Sequence, residues 1–111
     1  MAYVPDRGHV VSLSFDPQGG HEQACRRPAL VLSPRSYNGR VGLALLCPIT
    51  RSIKGYPFEV VLPDPSEVEG AVLADQVRSL DWRARKAEFS SQAPAGVVSE
   101  VLGKIQALLA P

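Results

Sequence analysis

Apolar residues in this chain recur mostly at every second position, in short runs that turn-forming residues bring to an end. That period of two belongs to half-buried strands, whose successive side chains point to opposite faces. Over residues 9–15, Val11, Leu13 and Phe15 share one face while Ser12 and Ser14 share the other. Asp16-Pro17-Gln18-Gly19-Gly20 then breaks the run. Residues 29–32 form a short, wholly apolar strand started by Pro28, a position where a missing N–H is tolerable. Tyr37-Asn38-Gly39-Arg40 reads as a tight turn, because Asn-Gly accepts positive φ. Residues 41–49 make the longest apolar run, with Val41, Leu43, Leu45, Cys47 and Ile49 on one face and Gly42, Ala44 and Leu46 on the other. Both faces look covered, which places this strand centrally, with a bulge or edge near Pro48. Residues 58–62 alternate again and end at Pro63-Asp64-Pro65; residues 70–77 and the more charged 84–89 complete the set.

Only the last stretch changes period. Pro94 suits the first turn of a helix. Val97, Val98, Val101, Leu102, Ile105, Leu108 and Leu109 then fall on one apolar stripe, with Glu100 and Lys104 paired at i,i+4 on the polar side. Gly103 weakens that helix by about 1 kcal/mol against alanine. The stripe is wide enough to cover an open end of a sheet or to join a dimer interface. Many short strands followed by one helix imply a mainly β fold, a small and strongly curved antiparallel barrel with a C-terminal α-helix.

The 111 residues suffice for one domain, 1–111, with a real but modest core. Apolar residues make up 45% of the chain, too many for a disordered polymer. No run approaches the roughly 20 apolar residues that span a bilayer, and the N-terminus has no apolar signal core, so a cytoplasmic location without membrane association is expected. Cys25 and Cys47 lack metal-ligand spacing. Cys47 sits in an apolar run as a small buried hydrophobe. Cys25, beside Arg26 and Arg27, has no base fixed next to it and is not assigned a catalytic role.

A net charge of +1 conceals a segregation. Between Glu22 and Glu59 no acidic residue occurs, yet Arg26, Arg27, Arg35, Arg40, Arg51 and Lys54 do. Between Lys54 and Arg78 the pattern reverses, with Glu59, Asp64, Glu67, Glu69 and Asp75. Clustered cations attract phosphates and release their counterions, so a polyanion partner is expected.

The richest stretch is 19–34, a polar loop feeding an apolar strand. Gly19 and Gly20 permit a sharp turn, and the loop then gathers His21, Glu22, Gln23, Arg26 and Arg27. No cluster of carboxylates or histidines marks a metal site, which argues against two-metal nuclease chemistry and for no cofactor. RNA offers its own nucleophile, the ribose 2′-OH. Cleavage then needs a base, cations for the crowded phosphate and a donor to the leaving 5′-oxygen. Glu22 or His21 could be the base. Arg27 suits a fork around phosphate oxygens, and Thr50 can donate a hydroxyl hydrogen bond. In the loop over 51–57, Lys54 suits a phosphate and Tyr56 suits base stacking. Asp75 and Gln76 could bind RNA, or Asp75 could satisfy Arg78 or a backbone turn.

These residues resemble the MazF/PemK family of toxin endoribonucleases (mRNA interferases) from bacterial type II toxin–antitoxin pairs. The resemblance is carried by Glu22-Gln23-Ala24, Arg27-Pro28, Val31, Ser33-Pro34, Pro48, Thr50, Lys54-Gly55-Tyr56-Pro57-Phe58-Glu59-Val60, Ala74-Asp75-Gln76-Val77 and Trp82-Arg83-Ala84-Arg85. The motifs keep the family's order and spacing over nearly the whole chain. The resemblance implies an SH3-like barrel of the CcdB/PemK type, assembled as a homodimer. It implies sequence-specific, ribosome-independent cleavage of single-stranded RNA without metal, leaving 2′,3′-cyclic phosphate and 5′-hydroxyl ends. Similar toxins carry an essential arginine and threonine where Arg27 and Thr50 lie, and a glutamate where Glu22 lies. His21, Gln23, Arg26, Lys54, Tyr56, Asp75 and Gln76 are then candidate RNA-binding residues. A guanidinium holds its proton too tightly for a good acid, so Arg27 is expected to stabilise charge. A cognate MazE-like antitoxin, acidic and apolar-rich, is the implied inhibitor, with Trp82 and Arg83 on its surface of contact.

Two other readings fit the same fold. A CcdB-type gyrase poison acts by protein binding alone, but such toxins rely on a Trp-Gly-Ile tail and this chain ends Leu108-Leu109-Ala110-Pro111. A non-catalytic SH3-like RNA-binding module would bind RNA without cutting it.

Overall fold

The computed structural model describes residues 2–15, 26–63 and 68–110. Seven strands and two helices follow in the order β1 His9–Ser14, β2 Arg26–Val31, α1 Arg35–Val41, β3 Ala44–Thr50, β4 Glu59–Val61, β5 Ala71–Leu73, β6 Arg78–Leu80, β7 Glu88–Gln92 and α2 Ala95–Leu109. All pairings are antiparallel. The sheet runs β4-β5-β3-β2-β1-β7, with β6 also on β3. The expected mainly β fold with a C-terminal helix is what forms, but the sheet is not closed into a full barrel.

β3 is central, as its two covered faces imply. One edge pairs with β2 at residues 46–48; the other pairs first with β6 at 44–46 and then with β5 at 49–50. Pro48 stands where that second edge passes from β6 to β5, a place that asks for no ladder N–H. This switch also splits the strand expected over 70–77. β5 ends at Leu73, a 3-10 turn Ala74–Gln76 steps across the break, and β6 resumes at Arg78.

Alternation along the strands divides the core between the two faces of the sheet. Val10, Leu30, Cys47, Ile49, Val60 and Val72 point to one face, where Ala93, Val97 and Val101 close it. Val11, Leu13, Ala29, Val31, Ala44, Leu46, Leu80 and Trp82 fill the other. A side-chain period of two forces this division, so a one-residue slip would exchange the faces.

Three expectations are corrected. Residues 37–40 lie in α1, not in a hairpin turn. Asn38 is wholly buried: its carboxamide oxygen accepts the Ser33 hydroxyl at 2.6 Å and its nitrogen donates to the carbonyls of Pro5 and Ser33 at 2.9 Å. The positive φ falls instead at Gly42, which ends the helix at 84°. Val41, helical and 49% exposed, therefore leaves the strand face assigned to it, and Leu45 is 42% exposed. The strand expected over 84–89 begins only at Glu88. Residues 82–86 form turns, opened by Asp81 accepting from the Ala84 amide at 2.9 Å and completed by Lys86 at φ 54°. The apolar stripe of α2 covers one face of the sheet with Val97 and Val101, while Leu102, Leu108 and Leu109 are exposed. Lys104 donates to the Pro57 carbonyl at 2.6 Å, fastening α2 to the loop before β4. Among the described residues no helix is long and apolar enough to cross a membrane.

Candidate active site

The end of β3 organises the site. Thr50 follows Leu46 and Pro48 at two-residue steps and so projects on their side of the sheet. Ala29 is registered opposite Pro48, and continuing the antiparallel register by one step of two residues sets Arg27 across from Thr50. Arg27 is also registered opposite the buried Leu13, which fixes the same face from the other edge of β2. It is exposed and makes no hydrogen bond or ion pair among the described residues. An arginine thus stands at a strand start, across the extended register from Thr50, with its donors unspent among the described residues.

Gly70 keeps the opposite side of Thr50 tight. Its φ is 134°, and a Cβ there would stand 2.2 Å from the Thr50 carbonyl oxygen. Only glycine allows this approach without displacing the strand end. Thr50 Oγ1 itself accepts the Ser52 amide at 3.1 Å, and its hydroxyl proton has no acceptor among the described residues.

β4 and β5 extend the same face. Glu59 is registered opposite Leu73 and Ala71 opposite Thr50. The Glu59 carboxylate accepts the backbone amides of Lys54, Gly55 and Tyr56 at 3.0–3.2 Å. Gly55, at φ 77°, supplies the left-handed residue that turns these amides inward. The loop so folded overhangs a cleft of about 450 Å³ lined by Thr50, Ser52, Lys54, Tyr56, Glu59, Leu73, Asp75 and Gln76. The Tyr56 hydroxyl donates to Asp75 across it. That bond raises the Tyr56 phenol above its ordinary pKa of 10.0, with smaller contributions from burial and from the charge of Asp75. The ring is 45% exposed and tilts against Phe58 at 5.8 Å. An exposed aromatic face beside an ammonium and a hydroxyl is chemically suited to a nucleotide strand.

Five of the sequence-predicted residues, Thr50, Lys54, Tyr56, Asp75 and Gln76, therefore meet in one cleft, with Arg27 across the register from Thr50. Others lie elsewhere. Arg26 faces the opposite neighbour and spends its donors on the carbonyls of Ser12 and Lys86, at 2.8 and 2.9 Å, and on Glu88 at 3.2 Å. Trp82 is 5% exposed and donates its indole N–H to the Asn38 carbonyl at 2.9 Å. Arg83 lies 4.5 Å over that indole and donates to the Gly39 carbonyl. This pair is grouped with α1, away from the cleft. His21, Glu22, Gln23 and Cys25 lie outside the described residues. Among the described residues no three His, Cys, Asp or Glu side chains gather as a metal site. The sequence reading missed Glu59, Gly70 and Ser52. A glutamate five residues after a lysine and four after a glycine is a weak signal for a loop anchor, and the close approach at Gly70 has no sequence signal at all.

Comparison with known proteins identifies relatives of the chain. Residues 6–109 match the family described as PemK-like, MazF-like toxin of type II toxin–antitoxin system. The endoribonuclease toxin MazF of Escherichia coli K12 is 47% identical over 107 residues, 96% of each chain. A crystal structure of MazF from Deinococcus radiodurans superposes with a TM-score of 0.89 at 60% identity, covering 99% of this chain and 100% of that one. A MazE–MazF structure from the same organism gives 0.89 at 55% identity, covering 98% of each chain. The chain belongs to the PemK-like, MazF-like toxins of type II toxin–antitoxin systems.

Proposed function

We propose that this chain is the toxin of such a pair, an endoribonuclease that cuts single-stranded RNA at a specific sequence, independently of the ribosome and without a metal ion. The observation that supports the reading is the cleft lined by Thr50, Lys54, Tyr56, Asp75 and Gln76, beside a β2–β3 register that, carried one step beyond Ala29 and Pro48, sets Arg27 across from Thr50. The family and its relatives, named endoribonucleases, support the activity.

In the proposed reaction the 2′-oxygen attacks the adjacent phosphorus as Glu22 or His21 removes its proton. The bond from phosphorus to the 5′-oxygen breaks, and that oxygen leaves as a hydroxyl after taking up a proton. Negative charge rises on the phosphate oxygens during this step. Arg27 meets it with a planar two-pronged donor, and the Thr50 hydroxyl adds a second hydrogen bond. Lys54 and Tyr56 hold the strand by phosphate attraction and base stacking.

The toxin is proposed to act in the cytoplasm as a homodimer and to be neutralised by a cognate MazE-like antitoxin. A MazE–MazF assembly in a relative 55% identical supports that partner. An acidic, apolar-rich antitoxin segment would compete with RNA for the cationic face, with Arg83, carried over the buried Trp82, as a further contact. Incubating the purified protein with naked single-stranded RNA in EDTA is the test. Products with 2′,3′-cyclic phosphate (or 3′-phosphate) and 5′-hydroxyl ends are expected, and a 2′-deoxy residue at the cut site should abolish cleavage. Loss of activity in EDTA, or a 5′-phosphate product, would overturn the mechanism. RNA binding without cutting would favour the non-catalytic module.

A further inference from the structure

Most cationic side chains among the described residues are already committed. Arg7 donates to the Leu32 carbonyl, Arg26 to Ser12, Lys86 and Glu88, Arg85 to the carbonyls of Ser14 and Phe15, and Lys104 to Pro57. Arg78 is different. It opens β6, is exposed, and makes no hydrogen bond or ion pair among the described residues. Its guanidinium carbon lies 5.4 Å from the centre of the Phe15 ring.

That ring links it to the proposed centre. Arg78 is registered opposite Leu46, so it projects from the face that carries Leu46, Pro48 and Thr50. Phe15 lies one residue beyond β1 and two beyond Leu13, which is registered opposite Arg27. Phe15 is therefore the diagonal neighbour of Arg27, at the roughly 7–8 Å spacing where long side chains still meet. Arg27 and Arg78 thus flank one aromatic ring, Arg27 coming from the β2 edge of β3 and Arg78 from the β6 edge. A guanidinium stacked on a ring uses its flat face for that contact, while its N–H donors lie in its plane. Stacking alone leaves all of them available, whereas Arg83, also stacked, spends a donor on Gly39.

We infer that Arg78 is a second phosphate-binding cation for the RNA substrate. It takes a phosphate next to the one held at Arg27, and Phe15 is the platform that holds its fork over the groove. The inference rests on the reading of Arg27 and Thr50 as the RNA-cleaving centre. It extends the substrate path beyond the cleft, back along the face of β3 that carries Leu46, Pro48 and Thr50.

The test uses the full chain with Arg78→Gln and Arg78→Lys. Affinity for an uncleavable RNA, made with one 2′-deoxy residue at the cut site, is measured across a salt series, alongside the single-turnover rate and the melting temperature. Arg78→Gln should weaken binding several-fold and make the slope of log affinity against log salt shallower by about 0.7, the loss of one single-strand phosphate contact. The single-turnover rate at saturating RNA should hold. Arg78→Lys should restore the slope, because the charge returns. An unchanged slope in Arg78→Gln would overturn the inference. So would an Arg78→Lys protein as weak as Arg78→Gln and equally destabilised, since the residue would then serve only to cover Phe15. A wild-type protein that neither binds nor cuts the RNA would instead overturn the underlying reading of Arg27 and Thr50.

Discussion

The Tyr56 hydroxyl donates a hydrogen bond to the Asp75 carboxylate, joining the loop before β4 to the 3-10 turn after β5. The joint sets the angle of the tyrosine ring, whose exposed face is a stacking surface beside Lys54 in the cleft. Asp75→Ala should return the Tyr56 phenol toward its ordinary titration range, because the carboxylate that holds its proton is gone. Comparing alkaline absorbance titrations of this variant and Tyr56→Phe isolates that change. RNA affinity should fall in Asp75→Ala by less than in Tyr56→Ala, since the ring survives but wanders. Equal affinity in wild type and Asp75→Ala would show that the joint does not position the ring.

Gly70 holds the end of β3 from behind. Gly70→Ala would force a Cβ to within 2.2 Å of the Thr50 carbonyl oxygen at a φ of 134°. Strain at such a φ alone costs about 1–3 kcal/mol, and the clash with backbone adds to it. Denaturant unfolding should show a loss of more than about 2 kcal/mol, and cleavage should fall further because Thr50 moves. Gly55→Ala is the contrast: it is strained by φ 77° but meets nothing within 4 Å. Its stability loss should be smaller.

Burial keeps the Cys47 thiol protonated. Its pKa is pushed up to about 12, first by desolvation and then by the charge of Asp75, and its sulfur approaches the Ala74 carbonyl at 3.9 Å. The thiolate is the reactive form. In a Cys25→Ser background the native protein should take up no thiol reagent at neutral pH and one equivalent after unfolding. Rapid labelling of the folded variant would contradict the burial.

Much of this fold is legible in the chain, and the failures share a cause. Alternating or continuous apolar runs locate β1, β3 and β4, with Val10, Cys47 and Val60 in the core on one face of the sheet and Val11 and Leu46 on the other, and the helical stripe locates α2. The Asn38-Gly39 signal misleads because Asn38 spends its carboxamide on Ser33 and Pro5, partners five and 33 positions away. A local rule cannot contain them. The strand expected over 70–77 breaks because β3 changes partner at Pro48, a fact about β3 and not about that segment. In the site, residue types pointed to Thr50, Lys54 and Tyr56 because hydroxyl, ammonium and phenol carry chemistry wherever they stand. Arg26 and Arg27 look alike in sequence. Only the pairing register sends Arg27 toward Thr50 and Arg26 toward Glu88.

The N-terminal segment should loosen in acid. His9 Nδ1 accepts the Tyr3 hydroxyl at 2.7 Å and the Asp6 amide at 3.2 Å, so a proton there would evict the Asp6 amide and force the Tyr3 bond to reverse. Desolvation lowers the imidazole pKa below 6.5, with Asp6 opposing and Arg35 assisting. The unfolded chain therefore binds this proton more readily than the folded one. The stability the neutral ring contributes is whole above the ordinary value of 6.5 and is lost as pH falls through the depressed one. Asp6 adds a second step of the same sign: its carboxyl is held below 3.8, chiefly by the Arg35 backbone N–H, so its contribution disappears at still lower pH. The melting temperature should fall between about pH 7 and pH 5 and again below about pH 4. His9→Gln should flatten only the first limb. A wild-type curve already flat there would refute the assignment.

Arg27 and Thr50 stand across the extended register, and the sharpest separation of catalysis from folding lies in Arg27. Its side chain has no partner among the described residues, so removing it breaks no recorded hydrogen bond and empties no core volume. Arg27→Ala should leave stability within about ±0.5 kcal/mol, as for other exposed positions free of special contacts. Cleavage should fall far more, because a preorganised donor acts where charge develops. Losing one such donor costs about 10²–10³ in rate, roughly 2.7–4 kcal/mol. Arg27→Lys should recover part of this, keeping the charge but losing the planar fork. If Arg27 merely paired with Glu22, alanine would lower the melting temperature slightly and spare turnover. Cleavage rate and melting temperature measured on the same two variants separate the two roles, and an active Arg27→Ala protein would remove Arg27 from the reaction.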